Sequence, residues 1–112
     1  SEKVQYAAAR SLYQLTGEAV YGEYLTEALG GDNLHLRRSA LLDLAAIGYL
    51  PAAKAISETL AENSMKLIAL KGLLEYHLTI NSKVKIQESK LESQLLLSDE
   101  AIEVMSLMDS LL

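Results

Sequence analysis

The fold of this chain is decided by residues 36–47, LRRSALLDLAAI, because residues 4–15, VQYAAARSLYQL, show the same pattern of residue types. The positions that coincide are Val4 and Leu36, Ala8 and Ala40, Leu12 and Leu44, and Leu15 and Ile47, each pair 32 residues apart. After the following turn the offset is 31, where Leu25 matches Ile56 and Leu29 matches Leu60. A third copy has Met65, Ala69, Leu73 and Tyr76 at these positions. A period of about 30 residues with two apolar helical stretches per copy is typical of a helical solenoid.

Each copy is a helix pair that cannot bury its apolar face alone and must stack on its neighbours. We therefore predict an all-α fold, a right-handed α-solenoid of about three helix pairs in one domain over residues 1–112. The repeats are expected at about residues 3–30, 34–62 and 64–112. Half of the residues are hydrophobic, which is sufficient for a continuous core. Because solenoids usually work by presenting a surface, binding is the first functional expectation.

Glycine, proline and capping residues set the expected helix boundaries. Gly17 and Gly48 each end the first helix of a pair, and Asp32 or Asn33 is suited to cap the helix that follows the Gly30-Gly31 break. Pro51 is tolerated in a first helical turn. The predicted helices run from about Lys3 to Thr16, Val20 to Leu29, His35 to Ile47, Pro51 to Glu62, Met65 to Leu78, and Glu100 to Leu112.

The segment from Thr79 to Ser93 interrupts the periodic pattern. It is polar, mixed in charge and without an apolar stripe. We predict a flexible loop at about residues 79–96, inserted between the two helices of the third pair, with a transient helical turn as the alternative.

Composition excludes several classes of function. The net charge is −5 and the basic residues are scattered, which argues against nucleic-acid binding. No apolar run reaches the ~20 residues of a membrane span, and no secretion signal opens the chain, so we expect no membrane insertion and a cytoplasmic location. There is no cysteine, and His35 and His77 are far apart, so neither a thiol nucleophile nor a metal site is predicted.

The N-terminal end of the chain lacks the polar outer face that a solenoid end requires. Tyr6, Ala7 and Ala9 are expected to meet a preceding repeat. The sequence therefore suggests either the C-terminal part of a longer solenoid or a homodimer formed through this end.

Two adjacent arginines are the first candidates for a binding role. Arg37 lies at the border of the apolar stripe of its helix, where it needs a partner. The structural alternative is a contact with Asp32 or with a carbonyl of the preceding turn, and the functional one is an anion held by its planar guanidinium. Arg38 lies on the opposite side of the helix and is expected to be solvated.

Tyrosines and acidic residues form a second group of candidates. Tyr21 and Tyr24 share one face of their helix, where they serve either packing or an amphipathic binding surface; Tyr49 follows the next glycine stop. Acidic residues recur on the second helices of the pairs and are expected to be a solvated face, or to steer a basic partner.

Several long segments, in order along the chain, carry a family resemblance. They are VQYAAAR (4–10), LYQLT (12–16), LRRSALLDL (36–44), IGYLPAA (47–53), TLAENSMKLIALKGLLE (59–75) and AIEVMSLMDSLL (101–112). Together they resemble the HEAT-repeat phycobilin lyases of the E/F type, in the C-terminal part of the E subunit. The resemblance covers nearly the whole chain except residues 79–93.

The resemblance implies a subunit of a heterodimeric lyase. In that family the E subunit pairs with a second HEAT-repeat subunit, F. The pair binds phycocyanobilin, a linear tetrapyrrole, and attaches it to a cysteine of the phycocyanin α subunit as a thioether; it can also detach or transfer it. Phycocyanobilin is then a substrate, no cofactor is bound covalently, and the thiol belongs to the acceptor. This stretch alone is expected to be inactive.

A bilin carries two propionates and a row of pyrrole nitrogens, so its site needs cations, an acid or carbonyl groups, and aromatic walls. The candidates of these types, for bilin binding or for partner contact, are Arg37, Arg38, Asp43, Tyr21, Tyr24 and Tyr49. No catalytic residue is assigned. The alternative function is a non-catalytic HEAT-repeat scaffold that grips phycobiliproteins during phycobilisome assembly or degradation. A general peptide-binding solenoid is a more distant possibility.

Overall fold

The computed structural model describes residues 1–85 and 99–112, and these form α-helices joined by short turns. The helices are α1 (Glu2–Thr16), α2 (Ala19–Glu27), α3 (Leu34–Ile47), α4 (Ala53–Glu58), α5 (Asn63–Lys85) and α6 (Asp99–Leu111). Short 3₁₀ turns at Ala28–Gly30 and Leu50–Ala52 extend α2 and precede α4. The described ranges contain no β-strand. The prediction of an all-α fold built from helix pairs is confirmed.

The helix ends follow the predicted local signals. The side chain of Asn33 accepts a hydrogen bond from the Leu36 amide at 3.2 Å and caps α3. Gly17 and Gly48 end α1 and α3 with φ of +69° and +67°. Glycine adopts this left-handed conformation without the steric penalty that a Cβ atom brings.

Helix α4 is shorter than predicted. It ends at Glu58 and does not continue to Glu62, because Thr59 takes an extended conformation with ψ of 152°. The buried Thr59 hydroxyl donates a 2.6 Å hydrogen bond to the Leu29 carbonyl, in the turn after α2. This bond to the first pair turns the chain towards α5.

The predicted loop from Thr79 is wrong in its first part. Helix α5 continues through residues 79–85 and ends at Lys85. The remainder of the predicted loop, residues 86–96, lies outside the described residues.

The helices form two layers. The A layer consists of α1, α3 and α5, in which α3 packs against both neighbours, and the B layer consists of α2, α4 and α6. Between the layers, α1 and α3 both pack against α2, and α5 packs against both α4 and α6. The core between the layers is aliphatic, and its fully buried side chains are Leu25, Leu41, Leu44, Ile47, Ile56, Leu70, Leu73 and Val104.

Glycines bring successive helix pairs into close contact. The ring of Tyr49 lies over Gly22, and the ring of Tyr76 lies over Gly48, so closely that a Cβ atom at either glycine would overlap the ring. These ring-on-glycine contacts join each pair to the next one.

Positions that are equivalent in the repeat differ in exposure. Leu44 and Ile47 are buried, whereas their equivalents Leu12 and Leu15 are 39% and 82% exposed. No other part of the described chain packs on this side of α1. The expectation that Ala9 faces a preceding repeat is wrong, since Ala9 is buried in the core of this chain.

Candidate functional site

Two grooves flank α1. We call them the α1–α3 groove and the α1–α2 groove. The α1–α3 groove consists of two adjoining cavities of about 680 and 370 Å³ that share Lys3, Leu36, Ser39 and Leu42. The α1–α2 groove has a volume of about 430 Å³. The charged residues that line the two grooves differ, so the grooves are suited to different ligands.

An ion pair lines the α1–α3 groove. One terminal nitrogen of Arg10 donates to Asp43 Oδ1 at 2.8 Å, joining α1 to α3. The Asp43 side chain is largely buried and the Arg10 side chain is about two-fifths exposed. The groove therefore contains a carboxylate acceptor that is fixed in place by a partly accessible guanidinium.

Arg38 lies at the other end of the same groove. Its Nη2 donates to Glu62 Oε1 at 2.9 Å, and its Nε is buried without a hydrogen-bond partner among the described residues. The hydrogen bond from Arg38 is the main cause that lowers the pKa of the Glu62 carboxyl below its ordinary value. The expectation that Arg38 is simply solvated is therefore wrong, because this guanidinium is paired and about one-third exposed.

The walls between these ion pairs are partly apolar, and Glu2 and Ser39 also line the groove. The apolar part is formed by the side chains of Tyr6, Leu36 and Leu42, and Leu42 is half exposed. The ammonium group of Lys3, which lines both cavities, has no ion pair among the residues that the structure describes. The groove thus offers apolar contact area with two kinds of cation at its edge.

Arg37 does not line this groove, and its guanidinium donates hydrogen bonds to backbone carbonyls. Its Nε donates to the Leu60 carbonyl and its Nη1 to the Gly31 carbonyl, both at 2.8 Å. These bonds connect the turns that precede α3 and α5. The predicted structural alternative, a contact with a carbonyl of the preceding turn, is thus one of its two contacts.

The α1–α2 groove is apolar with an acidic rim. Leu12, Val20 and Tyr21 line it together with Tyr24, whose hydroxyl donates to Gln5 Oε1 at 3.0 Å. The ring of Tyr24 also contacts Tyr6, with centroids 5.1 Å apart. The charged residues in its lining are both acidic, Glu23 and Glu27. This groove suits an uncharged or basic surface and repels an anion.

Tyr49 belongs to neither groove. It is 5% exposed, and its ring meets the edge of Tyr13 at a centroid distance of 5.5 Å. Burial is the main cause that raises the pKa of Tyr49 above its ordinary value, and the nearby Glu23 adds to the effect. Its role in the described fold is to pack one helix pair on the next.

The six candidates from the sequence do not converge on one site. Arg38 and Asp43 line the α1–α3 groove, Tyr21 and Tyr24 line the α1–α2 groove, and Arg37 and Tyr49 join the repeats. Sequence reasoning missed Lys3, Arg10 and Leu42. The repeat register could have found Arg10, because it occupies the slot of Leu42, next to Asp43, on the adjacent helix.

Charge is divided between the layers. Up to Thr79, the A helices carry the bases Lys3, Arg10, Arg37, Arg38, Lys66 and Lys71 and the acids Glu2, Asp43 and Glu75. The B helices carry the acids Glu23, Glu27, Glu58, Asp99, Glu100, Glu103 and Asp109 and the base Lys54. The A layer is thus net positive, although the whole chain carries a net charge of −5.

The described residues form neither a metal-binding cluster nor a membrane-spanning helix. Residues 1–85 and 99–112 contain no group of three or more His, Cys, Asp or Glu side chains placed to hold a metal ion. Within the same ranges, no helix has both the length and the apolar character needed to cross a membrane.

Comparisons with known proteins give one consistent group of relatives, although no family model matches the chain. It is 57% identical over 110 residues to the phycocyanobilin lyase subunit alpha of Nostoc sp. (strain PCC 7120), a match that covers 98% of this chain. It is 53% identical over 112 residues to the protein of the same name from Synechocystis sp. (strain PCC 6803). These matches cover 36% and 38% of the two relatives, so the chain spans little more than a third of their length.

The chain also matches a solved structure of a related protein. The chain superposes with a TM-score of 0.80 and 54% identity on one chain of the complex of CpcE and CpcF of phycocyanin lyase from Nostoc sp. PCC7120. The match covers all of this chain and 36% of that one. It confirms the HEAT-type helical solenoid and the resemblance to the E/F-type lyases.

Proposed function

This chain is homologous to one stretch of the phycocyanobilin lyase alpha subunits, and on that basis we propose that it is part of a bilin lyase subunit. The reaction is the attachment of phycocyanobilin to a cysteine of the phycocyanin α subunit through a thioether bond, and its reversal or transfer. The observation that carries this proposal is the 57% identity, which extends over 98% of the chain.

The composition of the chain limits its part in the reaction. It contains no cysteine, so this chain does not itself supply the sulfur that forms the new bond. The contribution of this subunit is to hold the bilin and the acceptor in the reactive orientation and to keep other thiols away. Orientation of this kind accelerates a reaction by lowering its entropic cost.

We propose that a second lyase subunit is needed. The related chain of known structure was solved in a complex with CpcF, its partner in phycocyanin lyase. Because this chain spans little more than a third of its relatives, we expect the complete subunit, together with that partner, to be the active species.

The proposal is tested with the complete subunit that contains this chain, mixed with its partner subunit, phycocyanobilin and apo-phycocyanin α subunit. We expect a bilin absorbance band that remains on the α subunit after denaturation, and the loss of that band when the acceptor cysteine is replaced by serine. Covalent attachment that does not require this subunit would contradict the proposal. Tight binding to the α subunit without any attachment would instead support the alternative of a non-catalytic scaffold.

A further inference from the structure

We propose that the α1–α3 groove binds the carboxylates of the bilin, with Arg38 and Lys3 as donors, and that Asp43 accepts a hydrogen bond from a pyrrole N–H. This assignment rests on the proposed function and specifies a site for its substrate. Its starting point is the contrast in charge between the two grooves beside α1. The lining of the α1–α3 groove contains three bases, Lys3, Arg10 and Arg38, beside the acids Glu2 and Asp43, whereas the charged residues that line the α1–α2 groove are both acidic.

The hydrogen bonds of Arg38 leave donors for a ligand. A guanidinium presents five N–H donors, and Arg38 uses one terminal nitrogen in a single bond to Glu62. Its Nε has no partner among the described residues. A rotation of the guanidinium that brings the buried Nε into the groove would let Arg38 bind a ligand carboxylate with two donors, the geometry in which arginine binds carboxylates most strongly.

Arg37 does not offer this possibility. Its Nε and Nη1 are both occupied by backbone carbonyls of two different turns. Binding an anion through these donors would break the contact between the turns that precede α3 and α5. Of the two adjacent arginines, Arg38 is therefore the one that fits the ligand.

The groove also matches the remaining chemistry of a linear tetrapyrrole. A bilin is a long conjugated chain of rings with N–H groups on one edge and propionates on another. The walls formed by Tyr6 and Leu42 give apolar contact area, and Asp43 gives an acceptor held in place by Arg10. Lys3 lies in both cavities and supplies a second cation.

The α1–α2 groove does not match the negative charge of a bilin. It is apolar enough for the ring system, but Glu23 and Glu27 are the charged groups of its lining. Like charges brought together in a partly desolvated groove repel each other. A dianionic bilin would therefore avoid this groove.

The test compares phycocyanobilin with its dimethyl ester, which has the same ring system but no carboxylate charge. Binding to the complete lyase complex is measured by absorbance titration for the wild type and for Arg38→Gln and Lys3→Gln. The matched control is Lys71→Gln, because Lys71 is an exposed A-layer lysine outside the groove and pairs only loosely with Glu75 at 3.7 Å.

For the wild type and for Lys71→Gln we expect the acid to bind about tenfold more tightly than the ester, which corresponds to about 1.4 kcal/mol. In Arg38→Gln and Lys3→Gln this preference should shrink to about threefold or less, because affinity for the acid falls and affinity for the ester does not. The Arg38→Lys variant keeps the positive charge. In the same absorbance titration it should retain part of the preference for the acid over the ester.

Two outcomes would overturn the assignment. One is an unchanged acid-to-ester ratio in both groove variants, and the other is an equal loss for acid and ester, which would indicate a structural effect. If Arg38→Gln prevents assembly of the complex, the Lys3→Gln variant alone tests the assignment. Lys3 has an exposed side chain with no ion pair among the described residues, so its replacement should not disturb folding. Failure of the wild type to bind either compound would contradict the proposed function itself.

Discussion

Arg37 and Arg38 are neighbours in the sequence, but their guanidinium groups bind different kinds of partner. Arg37 donates to the carbonyls of Gly31 and Leu60, which are neutral and cannot lose their acceptor capacity. Arg38 donates to the carboxylate of Glu62, which can be protonated. The first contact is therefore insensitive to pH, and the second is not.

Replacing Arg37 should weaken the fold moderately. Arg37→Gln removes two hydrogen bonds to carbonyls at the surface, and we expect a loss of about 1 kcal/mol in the free energy of unfolding. Urea denaturation followed by circular dichroism measures it. Lys71→Gln is the control, because its exposed i,i+4 pair with Glu75 is worth less than about 0.5 kcal/mol. Equal stability of the two variants would contradict the role of Arg37 as a clamp between turns.

The ion pair of Glu62 should respond to acid in a defined direction. Because the pKa of Glu62 is lowered in the folded chain, the contribution of the pair is fully present above the unfolded glutamate pKa of about 4.3. It is lost as the pH falls through the lower, folded pKa. Carboxyl ¹³C NMR should give a pKa for Glu62 below that of an ordinary glutamate, and Arg38→Gln should raise it. An unchanged pKa in that variant would show that Arg38 is not the cause.

Gly48 should tolerate alanine less well than Gly17. Both have positive φ, so alanine at either position strains the backbone by about 1–2 kcal/mol. At Gly48 the new methyl group would also overlap the ring of Tyr76, whereas at Gly17 it meets no atom within 4 Å. Thermal unfolding should therefore show a larger loss for Gly48→Ala than for Gly17→Ala. Equal losses would mean that the ring moves aside without cost.

At the scale of helices, Thr59 fixes where α4 ends. Its buried hydroxyl donates to the Leu29 carbonyl in the turn after α2. Thr59→Val keeps the shape but leaves that carbonyl without a donor, and we expect a loss of about 1–2 kcal/mol in urea denaturation. Thr16→Val is the control, since the Thr16 hydroxyl donates to Leu12 within an exposed helix end and its loss should cost less than half as much.

The starts of the helices and the ends of α1 and α3 were predictable because their signals are local. Asn33 and Gly48 define α3 within one residue of the prediction, since a cap and a positive φ depend on the adjacent backbone alone. The end of α4 was not predictable, because Thr59 leaves the helix to reach a carbonyl 30 residues earlier. Helix α5 extends past Leu78 through residues whose sequence carries no apolar stripe, so periodicity gave no sign of it.

Equivalent leucines in successive repeats should differ in their effect on stability. Leu44→Ala removes a fully buried side chain from the core, and we expect a loss of about 3 kcal/mol. Leu12→Ala makes the same chemical change in the equivalent slot, where the side chain is 39% exposed, and should cost less than about 1.5 kcal/mol. Chemical denaturation of both variants checks this. Similar losses would show that Leu12 is covered in solution.

The residue types of the candidate site were predictable, but their grouping was not. Helical periodicity places Arg38 on the surface, yet it gives no information on Glu62, 24 residues later, which pairs with it. In the same way, Asp43 is joined to Arg10 across two helices. Burial of Leu44 but not Leu12 depends on which helices pack beside them, and the repeat pattern assigns both to the core.

The division of charge between the two layers gives the described part of the chain an electric dipole that runs from one layer to the other. In the field of a charged macromolecule, such a dipole experiences a torque that turns the A layer towards negative surfaces and the B layer towards positive ones. Rotation of this kind takes place before contact, at distances of about 8 Å at physiological salt, the Debye length. The two layers are therefore oriented towards the partner during the approach. Added salt would remove that orientation before it breaks any contact in the bound state.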